Sequence, residues 1–144
     1  MQAEKPADPQ ESVYRRASRL LGLSVRIRSE VDLVGLLDKG LPAGVVQALR
    51  ERVGLTDEEI YQLIAPRRTL NRREAEGQRL TAEEADRAVR IARIAARAQQ
   101  VFSGKLDYAQ EWLRTPHHAL GGRAPLLLLT SESGARAVEE LLLG

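Results

Sequence analysis

The stretch LTDEEIYQLIAPRRTLNRR, residues 55–73, decides the fold class. Thr56-Asp57-Glu58-Glu59 has the form of a capping box. In that motif the Thr56 hydroxyl accepts from an amide three residues on, while Glu59 reaches back to the Thr56 amide. Ile60, Leu63 and Ile64 follow at helical spacing. Pro66 then interrupts, because it carries no N–H and disfavours helical backbone in the residue before it. A further helix is predicted from about Arg67 to Glu76, with Leu70 as its main apolar contact and Gly77 as its end. Short helix, tight break, short helix is the order of a helix-turn-helix, whose second helix enters a DNA major groove.

Both flanks continue in the same idiom. A second capping box, Thr81 to Glu84, opens the longest predicted helix, about Ala82 to Phe102. Its apolar face holds Ala85, Ala88, Val89, Ala92, Ile94, Ala95, Val101 and Phe102. Tyr108, Ala109, Trp112 and Leu113 mark another helix, Pro116 and the Gly121-Gly122 pair force a loop, and Pro125 precedes a leucine run at 126–129. Ser131 with Gly134 marks a last helix whose Val138, Leu141 and Leu142 point inward. Upstream, Val13, Ala17, Leu20 and Leu21 recur at helical spacing until Gly22. A short patch from Val31 to Leu37 closes at Gly40, and Pro42 opens a helix through Val45, Val46, Leu49 and Val53. Residues 1–12 are polar and read as a flexible tail. No run alternates with period two, so the expected fold is all-α, with regions at 13–78 and 79–144 and a seam near Gly77 to Leu80.

Composition narrows the function. The 144 residues carry a net charge of +2, and hydrophobic residues make up 43%, enough for a core. Aromatics are only 3%, which argues against single-strand binding on stacked ring platforms. Without cysteine there is no disulfide, thiolate metal site or cysteine nucleophile. The longest uncharged apolar stretch, Ala124 to Ser131, is far short of the roughly 20 residues of a membrane span. Residues 1–12 lack the apolar core of a secretory signal, so a cytoplasmic protein with no membrane partner is expected.

Charge is uneven along the chain. Residues 66–79 hold five arginines (67, 68, 72, 73 and 79) against Glu74 and Glu76, while the chain outside that window is slightly acidic. Arg67 and Arg68 can be bidentate to guanine, Asn71 to adenine, and Thr69 can meet a base edge or phosphate; Arg72 and Arg73, a turn later, suit phosphates. A solvated arginine-rich helix is the bland alternative in a chain with 19 Arg. Arg87, Arg90, Arg93 and Arg97, three or four apart, read first as a solvated stripe on the long helix. His117 and His118 are adjacent rather than at metal-ligand spacing, and the acid pairs at 58–59 and 83–84 suit helix starts. No catalytic constellation, metal site or cofactor is predicted, hence no enzyme. The leucine-rich end, Leu126 to Leu129 with Val138 and Leu141 to Leu143, exceeds what one small lobe needs, pointing to an interface such as a homodimer.

Taken jointly, several short motifs resemble the Xre/MbcA/ParS antitoxins of the RES-domain toxin–antitoxin systems. They are RRTLxRR at 67–73, E-x-D-R-x-x-R-x-x-R at Glu84 to Arg93, WL-x-T-P at 112–116 and A-L-G-G-x-x-P at 119–125. The resemblance spans about Leu41 to Leu142. It implies an Xre-like helix-turn-helix region (13–78) followed by a small helical toxin-binding and dimerisation region (79–144). A homodimer would repress its own operon through operator DNA and neutralise a RES-type, NAD-degrading toxin by direct binding. DNA contacts would map onto Arg67, Arg68, Thr69, Asn71, Arg72 and Arg73. Toxin contacts would map onto Leu120, Gly121, Gly122 and Arg123 and onto Arg136, Glu139 and Glu140 of the last helix. Three departures stand out. His117 replaces a common Asn, Ser131 replaces a capping Thr, and members continue past the position of Gly144 with a helical tail. If that tail closes the toxin's entrance, neutralisation here is expected to be weaker or differently made. The helix 67–76 alone would equally suit a stand-alone repressor without a toxin partner.

Overall fold

The computed structural model describes residues 12–144. Its α-helices in chain order are α1 (Val13–Leu20), α2 (Glu30–Lys39), α3 (Gly44–Arg52), α4 (Asp57–Leu63), α5 (Arg67–Ala75), α6 (Ala82–Val101), α7 (Leu106–Arg114) and α8 (Glu132–Leu143). Two 3-10 turns, His118–Leu120 and Pro125–Leu128, lie between α7 and α8, and the described residues contain no strand. The all-α expectation therefore holds. Residues 1–11 of the expected tail lie outside the described residues, and Ser12 belongs to the fold: its hydroxyl accepts from the Arg15 amide and caps α1.

Helix α6 is the axis of the molecule. The spacing predicts one apolar face, yet twelve of its twenty residues are buried, including Glu84, Arg90 and Gln99, while Val101 is exposed. Helices α1 and α8 pack along it most extensively, and α2, α3 and α7 also touch it. Six of its buried side chains are alanines, short enough to let neighbouring backbones approach from several sides. A single buried cluster runs from Val13 to Leu142 and passes through Leu80. Across the 77–80 segment, Arg79 donates to the Gly40 carbonyl at 3.1 Å and the Leu80 amide to the Leu41 carbonyl at 2.9 Å.

The C-terminal leucines are mostly core. Leu126, Leu129 and Leu142 are buried and Leu128 and Leu141 half-buried, leaving Leu127 and Leu143 as isolated exposed side chains. The excess fills the wedge under α8, so it is not the surface that the leucine count suggests. Two exposed apolar side chains share one face of α2, Val31 at 77% and Val34 at 55% exposure, and Leu106 and Tyr108 are exposed on α7.

Candidate functional site

Helices α4 and α5 form the helix-turn-helix. Both bonds of the Thr56 capping box are present, the Thr56 amide donating to Glu59 at 2.9 Å and the Glu59 amide to the Thr56 hydroxyl at 3.1 Å. Ile60, Leu63, Ile64 and Ala65 are buried, which fixes the turn. Arg87 of α6 donates to the Ile64 carbonyl at 3.0 Å and so satisfies one of the orphan carbonyls at the end of α4. Pro66 then sits at the N-cap of α5, and no side chain caps that helix, unlike α4 and α6.

Leu70 is the buried face of α5; Arg67, Arg68, Asn71 and Arg72 are exposed and Thr69 half-exposed on the other. Arg73 departs from this set. Its side chain is 14% exposed and grips Glu84, 8% exposed, with Nε to Oε1 at 2.6 Å and Nη2 to Oε2 at 3.1 Å. Glu84 also closes the second capping box, accepting from the Thr81 amide at 2.9 Å. Burial pushes the Glu84 carboxyl upward, but hydrogen bonds from Arg73 and Thr81 outweigh it and hold it below its ordinary value. Arg73 is therefore turned into the protein, where it joins α5 to α6, unlike the exposed Arg67, Arg68, Asn71 and Arg72. Glu59 repeats the device on the other flank. It completes the α4 cap while taking a forked pair of bonds from Arg114 of α7, at 3.0 and 2.7 Å, and Arg114 also donates to the Gly54 carbonyl at 2.7 Å.

The arginine stripe of α6 is not a solvated face. Arg90 is buried and donates to Asp86 at 2.6 Å, to Glu132 at 3.4 Å and to the Leu129 carbonyl at 3.3 Å; Arg93 donates to Glu132 at 3.0 Å. These bonds staple the first turn of α8 onto α6. The spacing of the stripe was visible in sequence, but the partner Glu132 lies some forty residues away and carries no local signal. Beyond Glu132, Arg136 and Glu140 are exposed and Glu139 half-exposed. Arg93, Arg97, Arg136 and Glu139 line a charged cavity of about 320 Å³ between α8, α6 and α1.

The 117–123 loop is stiff. The His117 amide donates to the Arg123 carbonyl at 3.1 Å, and the Leu120 and Gly122 amides return to the His117 carbonyl at 3.0 and 2.9 Å. Gly121 and Gly122 have φ of 69° and 77°, two successive left-handed positions that side chains other than glycine rarely adopt. The His117 ring lies 4.9 Å from that of Trp112, which itself faces Phe102 at 6.4 Å. Leu120, expected as a contact, is 7% exposed and anchors the loop in the core. Of the other expected contacts, Gly121, Gly122 and Arg123 face outward, as do His118 and Ala119 of the same loop.

Two family models match the chain. One, described as the antitoxin Xre-like helix-turn-helix domain, matches residues 32–93; the other, the antitoxin Xre/MbcA/ParS C-terminal toxin-binding domain, matches 97–143. An Antitoxin Xre from Pseudomonas putida is 36% identical over 143 residues, 99% of this chain and 89% of the relative. The chain belongs to the Xre/MbcA/ParS antitoxin family. An Antitoxin Xre from Yersinia enterocolitica is 32% identical over 76% of this chain and 75% of its own length. A Sphingobium protein named Prs ADP-ribosylating antitoxin is 26% identical over 79% and 77%. As an Xre-family antitoxin, the chain puts α4 and α5 in its DNA-binding domain and the 117–123 loop with α8 in its toxin-binding domain. The two matches meet on α6, between Arg93 and Arg97. The E-x-D-R-x-x-R-x-x-R motif is engaged within the fold: Glu84 pairs with Arg73 of α5, while Arg90, itself held by Asp86, and Arg93 pair with Glu132 of α8.

Proposed function

We propose that this antitoxin neutralises a RES-type, NAD-degrading toxin by direct binding and represses its own operon by binding operator DNA. The observation that carries the reading is the pairing, on one helix, of an outward-facing Arg67, Arg68, Thr69, Asn71 and Arg72 surface with a rigid toxin-binding lobe. The uncapped start of α5 adds amides suited to a phosphate. Arg123, Arg136, Glu139 and Glu140 present charges of both signs for the toxin. The Sphingobium relative's name joins antitoxin to ADP-ribosylation, which consumes NAD⁺ and supports a toxin of that chemistry. The working unit is a homodimer reading two half-sites, with Val31 and Val34 of α2 as the exposed apolar face that a second copy would cover. Residues 13–78 serve the DNA and carry the α2 dimer face, and 79–144 serve the toxin.

Co-expression with the neighbouring gene product tests the toxin half. A co-purifying complex, restored growth and restored NAD⁺ are expected; a free antitoxin and no rescue would sink it. Band shifts with the DNA upstream of its own gene test the other half. The double substitution Arg68→Ala, Arg72→Ala should abolish the shift while leaving toxin binding intact, and unchanged affinity would remove the DNA role.

A further inference from the structure

The segment before α2 lies outside both family matches, which begin at residue 32. Between Val13 and Arg28 it contains five arginines and no acidic residue. The sum over the whole chain conceals this, because the remainder is acidic enough to offset it. One of the five, Arg16, is buried and donates to Gln99 of α6. The other four, Arg15 and Arg19 from α1 and Arg26 and Arg28 from the following loop, line an open groove of about 640 Å³ together with Ser18 and Ser24. Among the described residues no carboxylate lines it.

The groove is built rather than incidental. Gly22, at φ 69°, reverses the chain after α1. The Ser18 hydroxyl donates to the Val25 carbonyl at 2.9 Å and lies 3.3 Å from that of Leu23, tying the loop back against the helix. Ile27 is buried, so Arg26 and Arg28 on either side of it are turned outward. Of the next acids downstream, Glu30 accepts from the Tyr14 hydroxyl at 3.3 Å and Asp32 from the Arg28 backbone amide at 2.8 Å. Arg15, Arg26 and Arg28 are exposed and make no ion pair among the described residues. Four arginines elsewhere are consumed internally: Arg73 by Glu84, Arg90 and Arg93 by Glu132, Arg114 by Glu59. Several guanidinium forks spread along an open groove, without a carboxylate among its described lining residues, match a polyanion backbone, not a small ligand.

We propose that this groove is a second DNA-backbone surface, in which Arg15, Arg26 and Arg28 hold duplex phosphates independently of the bases read by α5. The inference rests on the DNA reading above, and DNA is the partner because the same chain carries a helix-turn-helix. The surface supplies salt-dependent, sequence-independent affinity. The test uses the full chain and three double variants that each remove two charges: the groove variant (Arg26→Ala, Arg28→Ala), the helix variant (Arg68→Ala, Arg72→Ala) and a control (Lys39→Ala, Lys105→Ala). Each is titrated against a fluorescein-labelled 30-bp duplex of arbitrary sequence, and against the region upstream of its own gene, from about 50 to 200 mM salt. For the groove variant we expect about tenfold or greater loss on both duplexes, and a slope of log K against log salt shallower by roughly two, with unchanged circular dichroism. The control should move neither. A groove variant indistinguishable from the control in affinity and slope overturns the inference and leaves the α5 reading standing. Wild-type protein that binds neither duplex removes the DNA reading and the groove with it. Acidic phosphatidylserine vesicles bound by wild type and lost in the groove variant, with duplex binding unchanged, would also overturn it.

Discussion

Two arginines one position apart on α5 have opposite employments. Arg72 is exposed, whereas Arg73 is locked in a forked pair with Glu84. Arg68→Ala is accordingly expected to weaken DNA binding with no change in melting temperature. Arg73→Ala should lower the melting temperature, and any loss of DNA binding should follow from a loosened α5. Arg73→Lys should restore only part, since an ammonium cannot make the two parallel bonds. A thermal melt beside a band shift for each variant checks this; equal melting temperatures for the Arg73 and Arg68 variants would contradict it. Gly134 is a second decisive residue. A Cβ there would collide with the Leu128 carbonyl oxygen, so Gly134→Ala must push α8 off the 3-10 turn beneath it. A cost of about 1–3 kcal/mol in chemical unfolding is expected, as for other overpacked sites.

At the scale of elements, the helix starts were legible in sequence because capping is local. Thr56, Thr81 and Ser131 all accept from the amide three residues on, as their spacing predicts. Thr81→Ala should cost about 1 kcal/mol, read from urea unfolding, and more than Thr56→Ala if Glu84 swings away from Arg73 as the cap opens. Pairings between distant elements were not legible. Nothing near Arg90 or Arg93 announces Glu132, and nothing near Leu120 says that its side chain points into the core while its neighbours point out. The solvated-stripe expectation failed for this reason, and most of the leucine surplus is core, since both properties are set by which helix arrives opposite. The Arg15 to Arg28 cluster failed to register for another: a whole-chain charge sum averages a basic segment against acids elsewhere. Glu132→Gln should leave α8 helical but speed hydrogen exchange across 132–143 relative to α3, and weaken toxin binding more than DNA binding. Exchange unchanged in α8 would show that apolar packing alone seats it.

For the molecule as a whole, one core implies one transition. Ile94, fully buried at the middle of α6, is placed to couple everything that packs there. Ile94→Ala should cost about 2–5 kcal/mol, and tryptophan fluorescence from Trp112 should report the same midpoint as far-ultraviolet circular dichroism. Separate midpoints would mean that the two functional regions unfold independently. Acid stability follows from three carboxylates. Burial raises Glu59, Glu84 and Glu132, but hydrogen bonds from Arg114, Arg73 and Arg93 respectively prevail, so each is lowered from 4.5 in the fold. A lowered carboxylate contributes stability that is complete above the unfolded value and is lost as pH falls through the folded one. Stability should therefore be level above about pH 5 and decline below 4.5. Glu84→Gln should flatten that decline, which a series of melts at falling pH would show.

The sharing of α6 also bears on how such proteins can recombine. A crossover between two relatives at 77–80 joins one parent's Arg73 to the other's Glu84. Moving it to 94–96, between the two family matches, separates Arg16 of one parent from Gln99 of the other. Each exchange point cuts a bond that the central helix makes to a neighbour, so operator preference and toxin preference are expected to be inherited as a block. Hybrids that trade one for the other would need compensating changes along α6 itself.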